Sequence, residues 1–437
     1  MKKLVCILIV LFSVNLSMAM DDELDIHGFV AQGFLKTDHN NFIQNTEDGT
    51  FQFNEMGLNF NTQLSDSLLM SIQFFASDFG DIGNDEITIS HANVDYYFRE
   101  WLCIKAGINR GAFGFYGDTR DIDMLRTYVF LPTSVYPEAY RDCINSAKGV
   151  EIHGNMYPSL LALEMGDLSY RFQYGFIDIP KGSGIERILA KRGHTDTLSS
   201  STDTSFNLLL TWDTPMPGLR IQGQYVQIGY QLNGTTKDDI FWKQTKEDML
   251  LGIEDDAYRS FLEDSLVITN VPINFSGDIS MIVYGAEYTR KNLVIAFEEA
   301  IYGQAFDYTI DARLSDSILK KTDSLNNKGL GYYYAASYQF YDWLKMGAYY
   351  AVTYPLKDDK KGKDNLVFID RPSYFAWQKD SCLSLEFDFN RHSSLKLEAH
   401  YMDGGTQLDY IVNLDPEGYF DTQRYWYLFA AKLSFNF

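Results

Sequence analysis

The chain has 437 residues, 46% of them apolar and 22% charged, with 59 acidic against 37 basic side chains. That acidity excludes nucleic acid and anionic surfaces as natural partners. Past the first residues there is no uncharged apolar run of the roughly 20 residues that a spanning helix needs, so any membrane residence must take the form of a closed β-barrel.

In chain order, residues 1–19 read as a secretory signal: Lys2 and Lys3, an apolar run from Leu4 to Leu16, then Ser17-Met18-Ala19 as a small-x-small cleavage site. Cleavage makes Met20 the mature N-terminus and removes two lysines, leaving 35 basic against 59 acidic groups, a net charge near −24. No cysteine follows the site, which argues against a lipid anchor. Cys6 leaves with the signal, and Cys103, Cys143 and Cys382 are too few for a disulfide framework, so no bridge is expected. The first strand begins near Leu24 with no plug-sized segment before it, which disfavours an energy-coupled transporter; its inward face is open between two registers over Leu24 to Lys36.

From there, alternation with a period of two recurs to the end of the chain. Leu68-Met70-Ile72-Phe74, Leu168-Tyr170-Phe172-Tyr174-Phe176, Leu293-Ile295-Phe297, Tyr332-Tyr334-Ala336-Tyr338-Phe340, Leu344-Met346-Ala348-Tyr350, Leu383-Leu385-Phe387-Phe389 and Leu395-Leu397-Ala399-Tyr401 each form one apolar row. The last strand places Tyr425, Tyr427, Phe429, Ala431, Leu433, Phe435 and Phe437 on one face, and its terminal aromatic resembles the C-terminal assembly signal of bacterial outer-membrane barrels.

About sixteen strands are predicted, in the known range of transmembrane barrels. Short connections (63–67, 99–100, 158–167, 213–218, 290–292, 341–342, 390–393) alternate with long ones (37–50, 78–86, 110–146, 178–204, 231–278, 304–328, 355–379, 403–424). The expectation is therefore an all-β, antiparallel transmembrane barrel over residues 20–437, a single domain with short periplasmic turns and long extracellular loops. Short helices are predicted within two of the loops, over Met249 to Leu266 and Leu314 to Leu325. The 30 Tyr and 31 Phe suit aromatic girdles at the two membrane interfaces.

A barrel of this strand number is too wide for its own side chains to fill, so its interior must hold water or folded-in loops. The polar positions opposite the apolar rows, among them Glu55, Asp95, Lys105, Glu151, His153, Arg171, Gln173, Glu298, Glu386, Lys396, Glu398, His400 and Lys432, are expected to line it. Loop 110–146 combines Arg110, Arg120, Arg126 and Arg141 with Asp118, Asp121, Asp123 and six aromatics from Phe113 to Tyr136. Such a loop is expected to fold inward and narrow the lumen, its guanidinium groups attracting anions. The competing reading is that these arginines pair with the loop aspartates and only hold the loop in place.

Within Val94 to Tyr136, Gly107, Arg110, Phe113, Gly114, Tyr116, Arg126, Leu131, Pro132 and Tyr136 resemble the pattern of the phosphate-selective porin O and P family, with Ala112 where proline is usual. The resemblance covers about a tenth of the chain and implies a trimeric, sixteen-stranded outer-membrane porin with an inward loop and anion passage. No lysine-rich lumen cluster matches that family's phosphate site. The partners expected are outer-membrane lipid and small hydrophilic or anionic solutes, with no cofactor.

The alternatives are a surface adhesin or receptor on a barrel platform, and an outer-membrane hydrolase. For the last, His153, His392 and His400 lie in no catalytic or metal-ligand motif, and Gly182-Ser183-Gly184 stands alone. Asp255-Asp256 and Asp358-Asp359 read as solvated loop charge, with a loop calcium site as the alternative.

Overall fold

The structure, a computed structural model, describes residues 24–80, 82–138, 141, 146–157, 159–160, 163–177, 195–236, 250, 253–267, 272–314, 317–363, 372–408, 411–413 and 421–437. Residues 1–19, Cys143 and Gly182-Ser183-Gly184 lie outside them. Among the described residues, sixteen long strands pair antiparallel with their sequence neighbours. They are β1 (Leu24–Thr37), β2 (Phe53–Ser65), β3 (Leu68–Phe79), β4 (Thr88–Arg99), β5 (Leu102–Arg110), β6 (Ser146–Met156), β7 (Asp167–Phe176), β8 (Thr195–Asp213), β9 (Leu219–Thr236), β10 (Pro272–Arg290), β11 (Leu293–Leu314), β12 (Ser317–Tyr341), β13 (Leu344–Tyr354), β14 (Gln378–Asn390), β15 (Ser393–Gly404) and β16 (Tyr425–Asn436).

The sheet closes because β1 also pairs with β16, Phe29 opposite Asn436 through Thr37 opposite Leu428. Every strand then has two neighbours and no edge is left open. Both chain ends of this cylinder sit at its short-turn end, as an even strand number requires.

The period-two rows sort as their chemistry demands. In β16, Tyr425, Tyr427, Phe429 and Phe435 are exposed on the outside, whereas Trp426, Leu428, Ala430, Lys432 and Ser434 are buried inside. In β15 Leu397 and Tyr401 face out while Lys396, Glu398 and His400 face in. The first strand resolves to one register: Leu24, Ile26 and Val30 are exposed outside, and Ala31, Leu35 and Thr37 are buried inside. Outward aromatics gather near both rims, with Tyr341 stacked on Trp343 at the short-turn end and Tyr401 on Tyr425 at the other.

Three expectations are corrected. Residues 304–328 form no long loop and Leu314 to Leu325 no helix: β11 and β12 run on as a ladder until Leu314 pairs with Ser317. The local sequence explains it, since Phe306, Tyr308, Ile310, Ala312 and Leu314 recur at every second position and Thr309 bonds Thr322 across the pair at 3.0 Å. The connections expected over 178–204 and 231–278 are likewise shortened, because β8 starts at Thr195, β9 reaches Thr236 and β10 starts at Pro272. Of the helix expected over Met249 to Leu266, Met249 lies outside the described residues and the described part holds α1 (Asp256–Ser265), started by Asp255, whose Oδ1 accepts from the N–H groups of Ala257 and Tyr258 at 3.0 and 2.9 Å. At 22 and 25 residues, β11 and β12 are more than twice the roughly 9–11 residues that cross a bilayer, so this side of the barrel stands tall.

The register of β1 can be checked by mutation. A Cβ on Gly33 would overlap the ring of Phe53, which is held between Phe79 and Phe130. Gly33→Ala should therefore lower the unfolding free energy by about 1–3 kcal/mol in urea titrations of detergent-folded protein, and Val30→Ala, on the exposed outer face, should not; equal effects would contradict the register.

Candidate functional site

The barrel interior is organised by the segment joining β5 to β6. Gly107, near the end of β5, has φ of +129° and its Cα lies where a Cβ would overlap the Ala92 carbonyl. Gly114 has φ of +61° and abuts Tyr136 Oη and Glu298 Oε1. Both places demand glycine, which lets the chain leave the wall and turn across it.

Aromatic and aliphatic residues of the segment then pack on the inner faces of distant strands. Phe113, Tyr128, Leu131, Val135 and Tyr136 form one buried cluster with Val226, Ile228, Met281, Val283, Ala296, Tyr333, Ala335, Tyr349 and Ala351. Val129 and Phe130 join a second with Leu35, Phe42, Phe53, Met402, Trp426 and Leu428. The inward face of β9–β13 is therefore partly apolar, a feature that period-two reading misses because both faces of those strands carry apolar residues. Burying one such side chain is worth about 1.5–3 kcal/mol.

Carboxylates of the wall cap the segment's backbone. Glu298 Oε1 accepts the Phe115 N–H at 2.9 Å while its Oε2 accepts the hydroxyls of Tyr136 and Tyr333 at 2.5 and 2.6 Å. Glu398 accepts the Val129 and Phe130 N–H groups at 3.2 and 3.0 Å. Glu287 accepts the Tyr116 hydroxyl at 2.9 Å.

On the opposite side the segment is fastened by charge. Asp123 lies between Lys396 at 3.0 Å and Lys432 at 3.3 Å, with Arg126 at 3.6 Å. Lys432 continues to Glu55 at 2.5 Å, Glu55 to Arg141, Arg141 to Asp121 at 3.0 Å, and Asp121 to Arg110. Glu138 joins Arg141 at 3.8 Å to Arg120 at 3.2 Å. This is one continuous network of six cations and four carboxylates.

Arg110, Arg126 and Arg141 thus meet the loop aspartates Asp121 and Asp123, as the competing reading has it, whereas Arg120 meets Glu138 and the loop's Asp118 meets Arg171 of the wall. Glu138 was not foreseen, and no local pattern marks it. Burial alone would raise the Asp123 carboxyl, but the fields of Lys396, Lys432 and Arg126 outweigh it and hold it well below its ordinary value; Arg110 and Arg141 do the same for Asp121.

The remaining site residues form a second group on β4–β7. Lys105 lies 3.2 Å from Glu151 and 3.7 Å from Asp95, Arg171 lies 2.8 Å from Asp118 and 3.4 Å from Glu151, and His153 lies 3.1 Å from Asp95. Three of these side chains stay partly exposed: Lys105, Arg171 and Asp118 are 21%, 25% and 46% exposed, against 0% and 1% for Lys396 and Lys432, while Asp95 and Glu151 are buried. Cys103 is a free, buried thiol.

Fold and interior together define a large closed β-barrel, apolar outside, charged within, and crossed by the inward-packed connection between β5 and β6. No protein-family model and no curated protein matches the sequence. Solved structures match in fold. OmpT, an outer membrane protein of Vibrio cholerae, is 10% identical over 97% of this chain and 100% of that one, with a TM-score of 0.52. The outer membrane channel DcaP of Acinetobacter baumannii is 10% identical over 96% and 99%, at 0.51, and Salmonella typhi OmpF in complex with daunomycin is 14% identical over 95% and 98%, at 0.54.

The charge network predicts how the connection responds to acid. Asp121 and Asp123 have folded pKa values below the ordinary 3.8, so their contribution is complete above that pH and is lost only as pH falls below it. Titration of Asp121 and Asp123 should therefore cost the 110–146 segment no protease resistance between pH 8 and about pH 4. Asp123→Asn should weaken docking by about 3 kcal/mol, the low end for stranding a buried charge, because Lys396 keeps the Asp123 carbonyl and Lys432 keeps Glu55. Loss of wild-type resistance by pH 6, or an Asp123→Asn protein as resistant as wild type, would contradict this.

Proposed function

We propose that the chain is an outer-membrane porin through which small hydrophilic solutes diffuse passively, with segment 110–146 setting the narrowest part of the path. The observation that carries this reading is the pairing of an apolar exterior with charged, water-accessible side chains inside a closed sixteen-stranded cylinder. Such an exterior is suited to lipid and such an interior to water. The fold likeness to outer-membrane proteins supports the same location, and residues 1–19 provide the export signal.

We place the open path along the β4–β7 wall, past Lys105, Arg171 and Asp118, the exposed charges of that group. Cations and carboxylates interleave there, which disfavours a dedicated phosphate site. The neighbouring network holds two more cations than carboxylates, and this excess is the source of a modest anion preference. The pattern within Val94 to Tyr136 supports a homotrimer. A hydrolytic role is not favoured: His400 is 2% exposed behind Phe130 and Tyr349, and His153 is committed to Asp95.

In planar lipid bilayers the purified protein should give stepwise currents in groups of three, with a reversal potential of anion-selective sign under a salt gradient. Lys105→Gln combined with Arg171→Gln should move that potential toward cations. Absence of any conductance step would refute the porin reading and favour a closed platform for surface binding; a cation-selective wild type would refute the anion preference alone.

A further inference from the structure

Behind segment 110–146, the inner faces of β14 and β15 bring together three groups that the diffusion path does not use. Cys382 and His400 are direct partners across the two strands, and Glu398, two residues from His400, shares its face. A ligand atom from each lies within 4.8 Å of the others, and all three residues are buried. Asp380 stands beside them, 3.0 and 3.1 Å from His400 Nδ1, and accepts the Tyr349 hydroxyl at 3.1 Å.

A carboxylate can only accept, so Nδ1 carries the proton toward Asp380. Nε2 is left facing Glu398 Oε2 at 3.2 Å, yet the angles make no hydrogen bond and Nε2 is a buried polar atom without a partner, on a residue 2% exposed. Nε2 and a carboxylate oxygen at that separation are held by a cation between them, either the second proton of an imidazolium or a metal ion. A tetrahedral zinc-type ion, with bonds of about 2.0–2.1 Å to nitrogen and oxygen, sets its ligand–ligand edges at roughly 3.3 Å.

We propose that Cys382, Glu398 and His400 form a binding site for a thiophilic divalent transition ion of the zinc type, with Asp380 as the carboxylate that orients His400. The ion takes one bond each from Sγ, a Glu398 carboxylate oxygen and Nε2, the thiol proton leaves to solvent, and no electron is transferred. Thiolate and Glu398 together neutralise the two positive charges, which suits a dry site. Because Glu398 also accepts the Val129 and Phe130 N–H groups, the ion would tie the inward segment to the wall. The three ligands converge only across the strand pair, so the linear spacing of Cys382, Glu398 and His400 matches no metal motif.

The test uses the full chain with cobalt(II) as a visible probe, added both to folded, chelator-treated protein and during refolding, since the site is buried. Folding is checked by the heat-dependent electrophoretic shift of the barrel. One cobalt per chain is expected, with a thiolate-to-cobalt charge-transfer band and tetrahedral d–d bands that zinc bleaches. Cys382→Ser should abolish the charge-transfer band, Cys103→Ser should keep it, and Asp380→Asn should weaken binding by roughly 10–100-fold. No band by either route, or a band that survives Cys382→Ser in folded protein, would overturn the assignment.

Discussion

The Asp123 carboxylate, held between the ammonium groups of Lys396 and Lys432, is the contact on which the interior depends. A closed barrel of sixteen strands leaves a space that its walls cannot fill, and something must decide how that space is divided. Buried ion pairs add little net stability against well-packed apolar groups, but stranding one partner is costly. A linked chain of them therefore acts chiefly as a register: segment 110–146 can sit in one position that satisfies every charge, and any displaced position leaves several unsatisfied.

The apolar inner wall of β9–β13 works with that register. Tyr136, Leu131 and Tyr128 gain burial against Val283, Tyr333 and Tyr349, while Glu298 and Glu398 take up backbone N–H groups that a segment inside a barrel could not give to a sheet. Apolar packing on one side and ion pairs on the other pull the connection across the lumen. Water is left to the β4–β7 wall, where Lys105, Arg171 and Asp118 remain accessible. The position of the segment thus decides which part of the barrel interior stays open to water.

Much of the cylinder was legible in the sequence, because a barrel strand is a local object: the alternation of Leu395-Leu397-Ala399-Tyr401 against Lys396-Glu398-His400 fixes inside and outside without knowledge of any neighbour. The tight turns were legible for the same reason. The 304–328 hairpin was not, because its charged residues, from Asp307 to Lys328, mimic a solvated loop although every second residue up to Leu314 keeps strand spacing. The wall partners of the loop charges were out of reach too. Lys396 is 273 residues from Asp123 and Glu55 is 86 from Arg141, and no short-range pattern couples them. The meeting of Cys382 with His400 depends on strand register, which only the closed sheet supplies.

Backbone amides within the segment report its fastening most directly. The N–H groups of Gly114, Phe115, Val129 and Phe130 donate to side chains of the far wall, Gln224, Glu298 and Glu398, and hydrogen exchange of the detergent-folded protein reads them one by one. The account predicts protection comparable to that of the β14–β15 ladder. Exchange of these four amides at the rate of an unstructured loop would contradict it.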